Sequence, residues 1–187
     1  GPSGNLAFNE PGSQINSSTR LMLLGSESRH NFAKLFHSNE AVPHSAITMG
    51  ISTLLGAKKV IVVGWGETIS PYVRQAIEAP ASDTVPASFL QSHKESKFVL
   101  DLSSAEHLTR LSTPWLVTSC EWDDKLIRRA IVWLCRITGK PILKLTNKDY
   151  NDNGLSELLA LFGSAYNVNI KIFNDLQHTI TGWPGGK

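Results

Sequence analysis

The sequence predicts an α/β fold with a parallel sheet, followed by an α-rich extension. Three observations carry that expectation. Val60-Ile61-Val62-Val63 is an unbroken run of apolar β-branched residues that ends on Gly64-Trp65-Gly66 and leads into a helical stretch, the order expected of a parallel strand in a βαβ unit. Lys97-Phe98-Val99-Leu100-Asp101-Leu102 reads as another strand, so strands and helices alternate over residues 1–110. Beyond that point the apolar spacing is helical.

The elements follow in order. Residues 1–13 gather glycines and prolines around an apolar Leu6-Ala7-Phe8 and carry one carboxylate, Glu10. Such a segment is too broken for a helix and too apolar for a free tail, so it reads as a loop held against a core. Ser26 to Ser38 is helical, with Phe32, Leu35 and Phe36 on one face, and Val42-Pro43 breaks it. Ala46 to Met49 suits a short buried strand, and Gly50 to Ala57 a helix with Ile51, Leu54 and Leu55 inward. Glu67 to Ala79 carries Ile69, Val73, Ala76 and Ile77 at helical spacing. The clearest helix is Trp122 to Thr138. Ile127, Ala130, Ile131 and Leu134 form its apolar stripe, with Lys125, Arg128, Arg129 and Arg136 largely off it. Asp123 and Asp124 in its first turn and Arg136 in its last match the helix dipole, and Gly139-Lys140-Pro141 ends it. Leu155 to Phe162 and a stretch around Ile170 to Ile180 are further helices. Gly182 to Lys187 reads as the start of a linker to a further, covalently attached domain. The expected organisation is therefore a domain over 1–110, an α-rich extension over 111–181 packing on it, and a linker from 182.

Composition excludes several classes of function. At 187 residues, 41% hydrophobic and 18% charged, the chain has enough length for one core. A net charge of +2 argues for neither nucleic acid nor a membrane surface as partner. No apolar run approaches the roughly 20 residues that span a bilayer. Cys120 and Cys135 have neither zinc-site nor disulfide-framework spacing, which points to a reducing cytoplasm. His37, His44 and His93 form no metal-ligand pattern, so no metal is expected. Gly64-Trp65-Gly66 lacks the third glycine of a dinucleotide loop and the lysine of a P-loop, so it reads as a tight strand-to-helix turn and no cofactor is expected. Homo-oligomer formation is left open.

Glu10 is the first catalytic candidate. A carboxylate in a Gly/Pro-rich loop beside apolar residues suits an acid or base, although capping a turn or helix would place it there equally. Asn5 and Asn9 read most simply as turn builders. Arg20 and Lys34 have the chemistry to grip a phosphate, with a solvated cation as the plainer reading.

These segments resemble a known family. Gly4-Asn5-Leu6-Ala7-Phe8-Asn9-Glu10-Pro11-Gly12-Ser13, followed by Ser18-Thr19-Arg20, resembles the central motif of the glucosamine-6-phosphate deaminases. That motif typically reads Asp-Gly-His-Ile-Ala-Phe-Asn-Glu-Pro, then Ser-Arg-Thr-Arg. Residues 42–55 and Pro86 to His93 resemble the family's next segments, so the resemblance covers roughly residues 1–110. Residues 111–187 resemble an extension of longer bacterial members, in which a deacetylase-like domain follows. The resemblance implies a Rossmann-like three-layer fold and a metal-free reaction on a small sugar phosphate: ring opening, loss of the C2 proton, and aldose-to-ketose conversion with release of ammonia. It implies that Glu10 supports a ring-opening histidine, but Asn5 stands where that histidine is expected and Ser3 where an aspartate is expected. Arg20 matches an arginine of the effector site in allosteric members. Lys34 falls near the substrate-phosphate arginine, and Ile69 near a second phosphate group that is elsewhere a lysine. Asparagine shuttles no proton at neutral pH and serine lacks the aspartate's charge. The expectation is an amino-sugar phosphate isomerase and deaminase in which Glu10, Asn5 and Ser3 form the catalytic set and Lys34 and Arg20 bind substrate. The family's C2 base lies outside this stretch. A non-catalytic sugar-phosphate-binding or assembly module of a fused enzyme is the rival reading, and another reaction on the same fold, such as lactone hydrolysis, is a third.

Overall fold

The computed structural model describes Gly1 and residues 3–181, with side chains as far as Thr179; the linker read at 182–187 lies outside the described residues. The chain divides into two compact units, Gly1–Ser112 and Thr113–Lys187.

The first unit holds strands β1 (Arg20–Leu23), β2 (Ser45–Thr48), β3 (Val60–Gly64) and β4 (Ser96–Leu100). Its helices are α1 (Ser26–Phe36), α2 (Ile51–Leu55), α3 (Ser70–Glu78), α4 (Leu102–Ala105) and α5 (Thr109–Ser112). β3 and β4 pair in parallel, from Val60 opposite Ser96 to Gly64 opposite Leu100. α3 and a 3₁₀ turn at Pro86–Ser92 form the crossover between them, which is the βαβ unit expected from the sequence. The fold class is α/β with a parallel sheet, and within the described residues that sheet is this single pair. β1 and β2 form a separate antiparallel ribbon, from Arg20 opposite Thr48 to Leu23 opposite Ser45.

Two strands are less buried than their sequences imply. In β3, Ile61 and Val63 are 57% and 59% exposed, and Val99 beside them in β4 is 54% exposed. A parallel sheet is ordinarily covered on both faces, whereas this pair is covered on one. In β2, Thr48 is buried but Ile47 faces solvent, because the ribbon turns only one face toward the chain's opening loop. α2 does bury Ile51 completely. Gly50, just before it, has no room for a side chain, since a Cβ there would overlap the backbone of Ser17 and Ser18.

The second unit is helical: α6 (Asp124–Thr138), α7 (Asn147–Asp152), α8 (Ser156–Phe162) and α9 (Ala165–Thr181). The predicted stripe of α6 is its core, with Ile127 2% exposed and Ala130, Ile131 and Leu134 fully buried. Asp123 caps the helix by accepting a hydrogen bond from Leu126 N at 2.6 Å, and Gly139 ends it at φ +67°. α9 begins earlier than the periodicity implied: the Ser164 hydroxyl caps it by accepting from Asn167 N (3.3 Å), and Asn147 Oδ1, from another helix, accepts from Ala165 N (2.8 Å). Thr146 and Asp149 form a capping box at the start of α7, and Asp149 also accepts from Lys140 Nζ at 2.7 Å. These donors hold the Asp149 carboxyl at a pKa of about 2. Tyr150, fully buried, donates to Asn169 Oδ1 (2.7 Å), and Asn169 Nδ2 donates to Leu145 O (2.9 Å).

Candidate functional site

The loop ahead of β1 is built almost entirely from its own backbone and short polar side chains. Asn9 N donates to Leu6 O at 2.9 Å and Ser13 N to Glu10 O at 3.0 Å, closing two successive turns. Gly12 N donates to Asp83 O (2.8 Å) and Ala87 N to Gly4 O (2.9 Å), which tie the loop to the segment before β4. Gly4 has φ +77°, and a Cβ there would come within 2.7 Å of Val85 Cγ1, so glycine is required on both counts. Ala7 also has positive φ, +50°, a conformation that costs an alanine about 1 kcal/mol. Its surroundings enforce it: Asn5 Nδ2 donates to Ala7 O (3.1 Å), and Phe8 N donates to Thr48 Oγ1 (3.1 Å). Strain held in this way clusters at functional sites.

Asn9 is the hub. Its side chain is fully buried, and its Nδ2 donates to both Leu6 O (2.9 Å) and Met49 O (2.7 Å). Its Oδ1 accepts from Arg20 Nη1 at 2.9 Å, while Arg20 Nη2 donates to Ser13 Oγ at 2.9 Å. Asn9 is thus more than the turn former the sequence made it.

Glu10 sits between these anchors and is 9% exposed. Among the described residues its Oε1 is buried without a hydrogen-bond partner, as are Asn5 Oδ1 and Arg29 Nε. Buried polar atoms are nearly always paired, so the two unpaired oxygens of this loop, on Asn5 and Glu10, are free to meet a ligand or water, whereas the Arg29 guanidinium reaches Asn39 O through Nη2 at 3.0 Å. Glu10 Oε2 faces the start of α1, where a Cβ on Gly25 would stand 3.4 Å from it. α1 has no side-chain cap at that end, and a carboxylate is favoured by the helix dipole there.

The structure therefore brings Ser3, Asn5 and Glu10 into one loop, with Ser3 and Asn5 each 5% exposed. It places Arg20 behind the loop, bonded to Asn9 and Ser13. Lys34 it places elsewhere. Phe32 of α1 packs on Phe8 of the loop with ring centroids 5.6 Å apart. Lys34, two residues on, is turned about 200° around the helix from that contact and is exposed. Arg29 is one turn before Phe32 on the same side, its N bonded to Gly25 O at 3.0 Å. The sequence reading passed over Arg29; its spacing of three from Phe32 was the available signal.

A cavity of about 290 Å³ opens beside the loop, walled by Asn5, Leu6, Val62, Tyr72, Val73 and Phe98 among others. Its walls carry no charged side chain and Glu10 is not among them, so it suits an apolar occupant and not a phosphate. Burial raises the pKa of both Cys120 and Cys135, which disfavours the reactive thiolate form. Among the described residues no group of three His, Cys, Asp or Glu side chains is placed to hold a metal ion, and no helix is long and apolar enough to cross a membrane.

No family model matches the chain. A glucosamine-6-phosphate deaminase-like protein of Bacteroides thetaiotaomicron is 67% identical over 184 residues, 98% of this chain. The glucosamine-6-phosphate deaminase of Rhodopirellula baltica is 39% identical over 110 residues, 59% of the chain. This chain is related to the glucosamine-6-phosphate deaminases. A solved structure described as a monomeric glucosamine-6-phosphate deaminase of the NagB superfamily superposes with a TM-score of 0.55 and 34% identity over 57% of this deaminase-like chain. The chain spans 28% of the Bacteroides protein, 44% of the Rhodopirellula enzyme and 44% of the solved chain.

Proposed function

We propose that this chain contributes part of the active site of a glucosamine-6-phosphate deaminase within a longer parent protein, to which the covered share of its relatives points. The reaction consumes glucosamine 6-phosphate and water and yields fructose 6-phosphate and ammonia, by ring opening, proton transfer from C2 to C1, and loss of the C2 amino group. The observation that carries the reading is the Glu10 carboxylate: buried, with one oxygen unpaired, on a loop whose backbone is pinned on both sides. Glu10 is the acid–base group of this half of the site. Asn5 Oδ1, also unpaired, orients a substrate hydroxyl, and Ser3 lines the same loop. Arg29, three residues before the loop-packed Phe32, is the cation assigned to the phosphate in place of the exposed Lys34; its Nη2 donates to Asn39 O at 3.0 Å and its buried Nε is unpaired among the described residues. The C2 base belongs to the part of the parent outside this chain. So do the strands or helices that cover Ile61, Val63 and Val99, and a following deacetylase-like domain.

The second reading, a sugar-phosphate-binding module without catalysis, rests on Asn5 and Ser3, which provide neither a titratable proton nor a charge at neutral pH. Incubating the parent protein with glucosamine 6-phosphate and measuring both products separates the two. Ammonia and fructose 6-phosphate appearing in equal amounts is the expected result. Sugar-phosphate binding without either product supports the module instead.

A further inference from the structure

We propose that Arg20 is a positioning residue that fixes the Glu10 loop, and that it is not a phosphate-binding group. The proposal rests on reading Glu10 as the acid–base group. Arg20 opens β1, and its guanidinium reaches back across the loop. Nη1 donates to Asn9 Oδ1 at 2.9 Å and to Ser18 O at 3.3 Å; Nη2 donates to Ser13 Oγ at 2.9 Å. Asn9 and Ser13 bracket Glu10, and both are nearly or fully inaccessible, at 0% and 3% exposed.

The network continues to a second strand. Asn9 Nδ2 donates to Met49 O at 2.7 Å, immediately after β2, and Arg20 itself lies opposite Thr48 in the β1–β2 register. Glu10 is thus suspended from two adjacent strands through its neighbours, while its own Oε1 is bonded to no described residue. That is the arrangement an acid–base carboxylate needs: backbone fixed, oxygen free to meet a substrate.

The identity of the side chain follows from the geometry. A planar fork holds two acceptors at a set separation, which a lysine ammonium on a flexible stem does not. The same occupancy argues against an anion. A phosphate gripping both Nη atoms would compete with Asn9 Oδ1, Ser18 O and Ser13 Oγ for their protons, and would loosen the loop that carries Glu10.

The test uses Arg20→Ala and Arg20→Lys in the parent protein. Turnover of glucosamine 6-phosphate is measured across pH, alongside amide hydrogen exchange at Asn9 and Ser13. The expected result for Arg20→Ala is a kcat lower by about 10- to 100-fold with little change in KM, a shifted acid or basic limb of the pH profile, and faster exchange at both amides. Arg20→Lys recovers part of each. A raised KM with unchanged kcat and unchanged exchange makes Arg20 a phosphate ligand and overturns the proposal. If the unsubstituted parent shows no turnover, the deaminase reading fails separately, and exchange together with titration by inorganic phosphate decides the role of Arg20. Faster exchange with phosphate affinity retained upholds it; unchanged exchange or lost affinity refutes it. If Arg20→Ala does not fold, Ser13→Ala, which removes one arm of the fork, is read in the same way.

Discussion

Two asparagines of the same loop, both buried, should differ sharply when replaced. Asn9→Ala removes three hydrogen bonds: two from Nδ2, to Leu6 O and Met49 O, and one accepted from Arg20. Leu6 O keeps Asn9 N as a partner. Met49 O keeps only a long 3.4 Å contact from the adjacent Thr48 hydroxyl, so it is effectively orphaned, at about 1–3 kcal/mol. The guanidinium, half-buried, recovers part of its loss from water, leaving about 1 kcal/mol. The sum is about 2–4 kcal/mol. Asn5→Ala removes one 3.1 Å bond but also removes a buried oxygen that has no partner, and these effects offset to within about 1 kcal/mol. The assay is a urea series followed by the amide signals of β3 and β4, because the two units need not unfold together. With a slope of about 1–3 kcal/mol per molar urea, Asn9→Ala should lower the midpoint by about 1–2 M while Asn5→Ala barely moves it. Equal shifts for the two variants would refute the hydrogen-bond account of the loop.

Gly50→Ala should destabilise the first unit by about 1–3 kcal/mol, because the added methyl meets the backbone of Ser17 and Ser18; a melting temperature equal to that of the unsubstituted chain would show that this contact is slack. Asp149 has a folded pKa of about 2 against an ordinary 3.8, so its contribution to the second unit is present above about pH 4 and is lost as pH falls toward 2. Thermal melts of Asp149→Asn should therefore lose pH dependence across that window; an unchanged slope would assign the dependence to other carboxylates. Arg29→Ala in the parent should weaken sugar-phosphate binding, and Lys34→Ala should leave it as it is; calorimetric titration showing the reverse would restore Lys34 as the phosphate group.

Much of this was legible in the residues. Val60 to Val63 announced β3, and the stripe of α6 announced its buried face, because both patterns reflect a single local period. β1 was missed because Arg-Leu-Met-Leu is four residues long and exposes Leu21 and Leu23, leaving no buried run to detect. The start of α9 was missed although Gly163-Ser164 marks it: the Ser164 hydroxyl accepts from Asn167 N at 3.3 Å as an ordinary cap, and Asn147 adds a second, distant acceptor. At the site, Glu10 stood out through its loop composition and motif. The roles of Asn9, Arg20 and Arg29 did not, since they depend on which atoms are bonded across β1, β2 and α1. The openness of β3 was not readable either: the same apolar run describes a strand covered on both faces and one covered on a single face.

Glu10 is the decisive residue of the site, and Glu10→Gln in the parent protein is the most direct test of its role. The substitution keeps the shape of the side chain and removes its ability to exchange a proton. The expected result is a kcat for ammonia release from glucosamine 6-phosphate lower by about 10²- to 10⁴-fold, with exchange at Asn9 and Ser13 unchanged. An unaltered rate would remove Glu10 from the chemistry and contradict the account.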